Sequence, residues 1–229
     1  MSKAQIDKFT LLFLKTLSKN NTREWFNAHK NKYLKAHQNM CDVVDSILVE
    51  MKKHDELTNE TGKKSLLRIY SDVRFKKDKA PYSPRFAFRF QRATKLRRGG
   101  YYVNVNPGNS FLACGFFSPN PEDLKRIRQD IEMNYPDWKK LLKTKSIKDN
   151  FDELKGEKLG SAPRGFSKEH EGIELLKHKQ FVFRHDFTNA EVLSPNFGKE
   201  VDRLFKATRP FFNYMSEVLT TDLNGEMIV

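Results

Sequence analysis

The stretch Arg85-Phe86-Ala87-Phe88-Arg89-Phe90-Gln91-Arg92 places a phenylalanine at every second position, with Arg85, Ala87, Arg89 and Gln91 in between. Successive side chains of an extended chain point to opposite faces. This alternation therefore predicts a strand with a phenylalanine face toward a core and an arginine-bearing face away from it. The same period is present upstream, where Leu67, Ile69, Val73 and Phe75 fall on one side and Arg68, Tyr70, Asp72 and Arg74 on the other. Downstream, extended segments from Tyr101 to Asn106 and from Ser110 to Phe117 flank Pro107-Gly108-Asn109, residue types that favour tight turns, and so predict a β-hairpin. A further strand is expected from Phe181 to Phe187.

Outside this region the apolar period is helical. Ile6, Phe9, Leu12, Phe13, Leu14 and Leu17 recur at three- and four-residue steps. A second helix is expected to start at Asn21, with Glu24 three positions on as in a capping box, and to run to about Lys53. Pro121 opens a helix through Leu124, Ile127 and Ile131, and Pro136 to Leu142 continues as another. Glu169 to His178 reads as one helix. Ser194 to Leu219 reads as a C-terminal one that Pro210 should kink or break. The expected architecture is α+β: a mixed, mostly antiparallel sheet of about five strands packed by N-terminal, middle and C-terminal helices, in a single domain over residues 1–229.

The formal charge of +13 is unevenly spread. Residues 61–100 hold 13 Lys or Arg against Asp72 and Asp78, whereas the other 189 residues carry 29 basic and 27 acidic groups, close to balance. An anionic partner should meet this segment first. No apolar run is long enough to span a bilayer, and the start, MSKAQIDKF, has no hydrophobic leader, so a cytoplasmic protein without membrane association is expected. Cys41 and Cys114 lie far apart in apolar surroundings and read as two buried thiols. The six histidines show no metal-type spacing and no metal site is expected. No motif names a cofactor or a standard hydrolase.

The run from Arg68 to Tyr82, Arg-Ile-Tyr-Ser-Asp-Val-Arg-Phe-Lys-Lys-Asp-Lys-Ala-Pro-Tyr, resembles the signature of the DUF2461 family, bacterial conserved hypothetical proteins. Asn21-Thr22-Arg23-Glu24-Trp25-Phe26, Tyr101-Tyr102 with Pro107-Gly108, and Ala162-Pro163-Arg164-Gly165-Phe166 extend the resemblance over nearly the whole chain. Members often carry arginine where this chain has Ser71, so a role needing a second basic group beside Asp72 does not carry over. The resemblance implies no particular reaction, cofactor or partner.

Function is therefore read from the residues. Arg68, Tyr70, Asp72, Arg74, Lys79, Tyr82, Arg85 and Arg89 combine guanidinium forks, which match carboxylate or phosphate oxygens, with phenolic hydroxyls and an orienting acid. The expected function is an anion-binding domain for a phosphorylated metabolite or nucleotide, with Arg164 of the Pro163-Arg164-Gly165 turn as a further ligand contact. The competing structural reading has Asp72 paired with Arg68 or Arg74 in an ion-pair network. Two functional alternatives stand beside it. Arg92, Lys95, Arg97 and Arg98 at a loop tip suit nucleic acid, although the Phe side chains of the neighbouring strand point to the core. A hydrolase or transferase would use Asp72 as base beside Arg74.

Overall fold

The computed structural model describes residues 4–71, 80–222 and 225–228. The chain opens with three helices, α1 (Lys8–Lys19), α2 (Arg23–Ala28) and α3 (Lys30–Met51), followed by a short turn of helix, α4 (Gly62–Ser65). Strands β1 (Phe86–Gln91), β2 (Gly100–Val105) and β3 (Ser110–Phe116) come next, then α5 (Pro121–Met133), α6 (Tyr135–Leu142), α7 (Lys145–Lys148) and α8 (Ile173–Leu176). Strand β4 (Phe181–Phe187), α9 (Asn189–Val192), α10 (Phe197–Ala207) and α11 (Arg209–Thr220) complete the order. The strands form one antiparallel sheet in the order β1-β2-β3-β4. None of the described helices is long and apolar enough to cross a membrane.

Phe86, Phe88 and Phe90 are all buried and Arg89 and Gln91 exposed, as the alternation requires. The β2–β3 hairpin turns at Pro107-Gly108-Asn109. Among the described residues the sheet has four strands where about five are expected, a small difference. The described part of the segment expected to form the additional strand makes the isolated antiparallel pairs Leu66 with Phe88 and Tyr70 with Tyr82. Between those pairs one chain advances from 66 to 70 while its partner advances from 82 to 88, so the partner carries two extra residues and a regular ladder cannot run through. Val73 and Phe75, assigned to the same strand, lie outside the described residues.

Three helix expectations are corrected. The helix expected from Asn21 to Lys53 is two helices, broken at His29, whose backbone leaves helical geometry at φ −112°, ψ 19°. The imidazole stays with α2: it stacks on Trp25 at 4.2 Å and its Nδ1 lies 2.8 Å from the Trp25 carbonyl oxygen. The cap of α2 is Thr22, whose hydroxyl accepts from the Trp25 amide, and not Asn21. Glu169 to His178 supplies only the four residues of α8. Ahead of it the Gly172 amide donates to His170 Nδ1 at 2.9 Å, closing a turn in place of a helical rung. The break expected at Pro210 is present, with the proline in the first turn of α11, where its missing N–H costs no helical bond.

The chain divides into two compact units. The first comprises residues 1–90, 102–112 and 186–203. In it α1 and α3 pack together, and Phe13, Phe26, Tyr33 and Phe86 form a linked aromatic cluster. Gly62 lies against α3 so closely that a Cβ there would sit 2.5 Å from the Cys41 carbonyl oxygen, and its amide donates to Asp45 at 2.6 Å. Only glycine fits this approach, which anchors α4 and the chain entering Leu66. The second unit comprises residues 91–101, 113–185 and 204–229. In it Asp130 accepts from Trp138 Nε1 at 2.6 Å and from the Tyr214 hydroxyl at 2.8 Å, tying α5 to α6 and α11. Burial and the Asp130 carboxylate push the Tyr214 phenol well above its usual range. Cys41, in the first unit, and Cys114, in the second, are both buried free thiols.

Candidate functional site

Arg85 enters just ahead of β1 and is half-buried. Its Nη1 donates to the Tyr102 hydroxyl and, at 3.1 Å, to Asn104 Oδ1, both on β2. Asn104 is buried, and its own Nδ2 donates to the Asn109 carbonyl oxygen at 2.9 Å, which fixes its amide with the oxygen toward Arg85. The hairpin thus holds one nitrogen of the guanidinium through two neutral oxygens. No carboxylate pairs with it, and its Nε–Nη2 edge meets no protein acceptor, among the described residues. That edge is the one that binds a carboxylate or phosphate through two parallel N–H donors. The Tyr102 ring lies 5.8 Å from that of Phe111 on β3, giving an aromatic pair beside the cation.

Arg89 is exposed on the same face of β1, its guanidinium unpaired among the described residues. It lies four positions along the chain from Arg85, roughly 13 Å at strand rise. Arg68 is also exposed and without an ion pair among the described residues. Tyr70 and Tyr82 are brought together, with ring centroids 5.4 Å apart. Tyr82 is buried and stacked on Phe26 at 3.9 Å, and its backbone is clamped by Asn21, which donates to the Tyr82 carbonyl oxygen at 2.8 Å and accepts from its amide at 3.1 Å. Burial, the largest effect, and the neighbouring Tyr70 raise the Tyr82 phenol above its usual value. Tyr70 keeps half its surface exposed. Asp72, Arg74 and Lys79 lie outside the described residues. Arg164 belongs to the second unit and is exposed in its turn.

The basic loop after β1 is only partly solvated. Arg92 is buried, and Arg98 pairs with Asp123. Lys95 alone of the four is fully solvent-facing, since Arg97 is half-buried. Among the described residues no group of three His, Cys, Asp or Glu side chains is placed to hold a metal ion.

A family model described as "Conserved hypothetical protein (DUF2461)" matches residues 9–214, most of the chain. The chain belongs to the DUF2461 family. No curated protein and no solved structure matches it. The DUF2461 match spans the Arg85 site and the Pro163–Phe166 turn alike. In the sequence the family resemblance alone marks Tyr102, and neither that nor the alternation of single strands marks Asn104 and Phe111. A polar Asn among the buried residues of a strand was the available signal, because a buried amide needs a partner.

Proposed function

We propose that the protein is an anion-binding domain whose ligand is a phosphorylated metabolite or nucleotide, gripped through the Arg85 guanidinium. The observation carrying this reading is that Arg85 is half-buried, framed by Tyr102 and Asn104, and has no carboxylate partner among the described residues. A partly desolvated cation satisfied only by neutral oxygens retains its affinity for an anion, and its fixed fork requires little further ordering on binding. The Tyr102–Phe111 pair supplies an apolar surface for a ring attached to the phosphate, and Arg89 lies where a second, separate anionic group would be met.

Isothermal titration with nucleoside mono-, di- and triphosphates and sugar phosphates tests the reading. Saturable binding is expected for at least one of them. Arg85→Ala should weaken it at least about tenfold, as loss of a charge-assisted pair requires, and Arg85→Lys should weaken it less. Binding unchanged in Arg85→Ala would overturn the proposal. So would an absence of small-phosphate binding alongside oligonucleotide binding that falls steeply with salt.

A further inference from the structure

The second unit contains a cleft of about 340 Å³ with two walls. One is a face of α5 in which Pro121, Lys125, Arg128 and Glu132 follow at steps of four, three and four residues. The other is the turn Pro163-Arg164-Gly165-Phe166, closed by the Phe166 amide donating to the Pro163 carbonyl oxygen at 3.1 Å. Gly165 sits at φ +88°, a conformation other residues rarely adopt, so the shape of this wall depends on glycine.

Arg128 is half-buried. Its Nε donates to the Leu176 carbonyl oxygen at 3.0 Å and its Nη2 to that of His178 at 3.3 Å. As with Arg85, its partners are neutral, and desolvation lowers its pKa. Lys125 and Arg164 are exposed, and neither they, Arg128 nor Glu132 make an ion pair among the described residues. This contrasts with Arg126 on the same helix, which pairs with Glu122 at 3.1 Å. The cleft therefore gathers three uncompensated cations against one acid, a net of two positive charges. A phosphate monoester carries about −1.5 to −2 at neutral pH and matches that excess, whereas a carboxylate does not. Phe166 adds an apolar surface and Glu132 an acceptor, and the volume lies at the small end of the roughly 300–1,000 Å³ of ligand pockets.

We infer that this cleft is a binding site for a small phosphate monoester, distinct from the Arg85 site. Lys125, Arg128 and Arg164 meet the phosphate, and Phe166 and Glu132 meet the group it esterifies. Phenyl phosphate is the probe, followed by amide and arginine Nε–H shifts in ¹H–¹⁵N spectra of the full chain. The amides of Arg164, Gly165 and Phe166 and the Arg128 Nε–H should move saturably. Benzoate should bind about tenfold more weakly, and Arg164→Ala should weaken phenyl phosphate by about tenfold with the melting temperature unchanged. Lys125→Gln, on a different wall, should weaken it as well. Arg85→Ala should leave these shifts intact. Non-saturating shifts, equal affinity for benzoate, or an Arg164→Ala variant that binds normally would overturn the inference. Shifts confined to Tyr102 and Asn104 would overturn it while sparing the Arg85 site, and shifts confined to this cleft would uphold it and leave the Arg85 site to its own titration.

Discussion

Arg92 keeps only 4% of its surface exposed, with Nη1 donating to the Arg98 carbonyl oxygen at 3.0 Å and the Ser216 hydroxyl at 3.3 Å, and its guanidinium 5.3 Å from the centre of the Phe212 ring. Ser216 also accepts from the Arg98 amide at 3.0 Å, so one arginine organises the loop that carries the rest of the basic run. Arg92→Met keeps the bulk but strands those acceptors, and should lower unfolding free energy by about 2 kcal/mol, read from the denaturant midpoint. Lys95→Ala, three residues on and exposed, should change it by less than about 0.5 kcal/mol. Equal effects of the two changes would contradict this division. Both residues look alike in the sequence because charge says nothing of burial. Arg85 was similarly half-legible: its strand position followed from the alternation, but its partners lie 17 and 19 residues away across a hairpin, and pairing between strands is not written in the pattern of one of them.

At the scale of elements, Asn21 and Thr22 exchange the parts that their residue types alone suggest. Either side chain can cap a helix, and Thr22 does so, which leaves Asn21 to pair with both backbone groups of Tyr82 in the manner of a strand. Thr22→Ala should cost about 1 kcal/mol, the usual loss for a cap. Asn21→Ala unpairs two backbone groups of a buried residue and should cost more, about 2 kcal/mol, with faster hydrogen exchange at the Tyr82 amide. An Asn21→Ala variant no less stable than Thr22→Ala would refute the clamp. Elements whose local period and packing agree were legible: β1 with its three phenylalanines, the β2–β3 hairpin, and the break at Pro210. Those decided by a tertiary contact were not. The shortness of α8 goes with Gly172, where a Cβ would lie 2.6 Å from the Tyr135 ring, whereas the bend at His29 goes with a local stacking on Trp25 that the apolar period does not register.

For the molecule as a whole, the buried titratable groups set a pH window. His178 is 3% exposed and its pKa is lowered, chiefly by desolvation, against a carbonyl contact to Gln180 that raises it. His37 is lowered for the same leading reason. Below about 6.5 the unfolded chain takes up protons that these folded imidazoles refuse, so stability falls as pH drops from there toward their folded values. At the alkaline end, burial pushes the Cys114 thiol from 9.0 to about 12, and Cys41, Tyr33 and Tyr82 are also raised by burial. Above pH 9 the unfolded chain releases protons that the folded one retains, and stability falls again. Denaturant unfolding across pH 5 to 10.5 should therefore give a plateau between about 6.5 and 9. His178→Gln should flatten the acid limb and Cys114→Ala the alkaline limb, each at the cost of a lower plateau. The limbs isolate protonation from packing, because a packing loss displaces the whole curve whereas a titrating group changes only its slope. An acid limb that keeps its wild-type slope in His178→Gln would remove that histidine from the account.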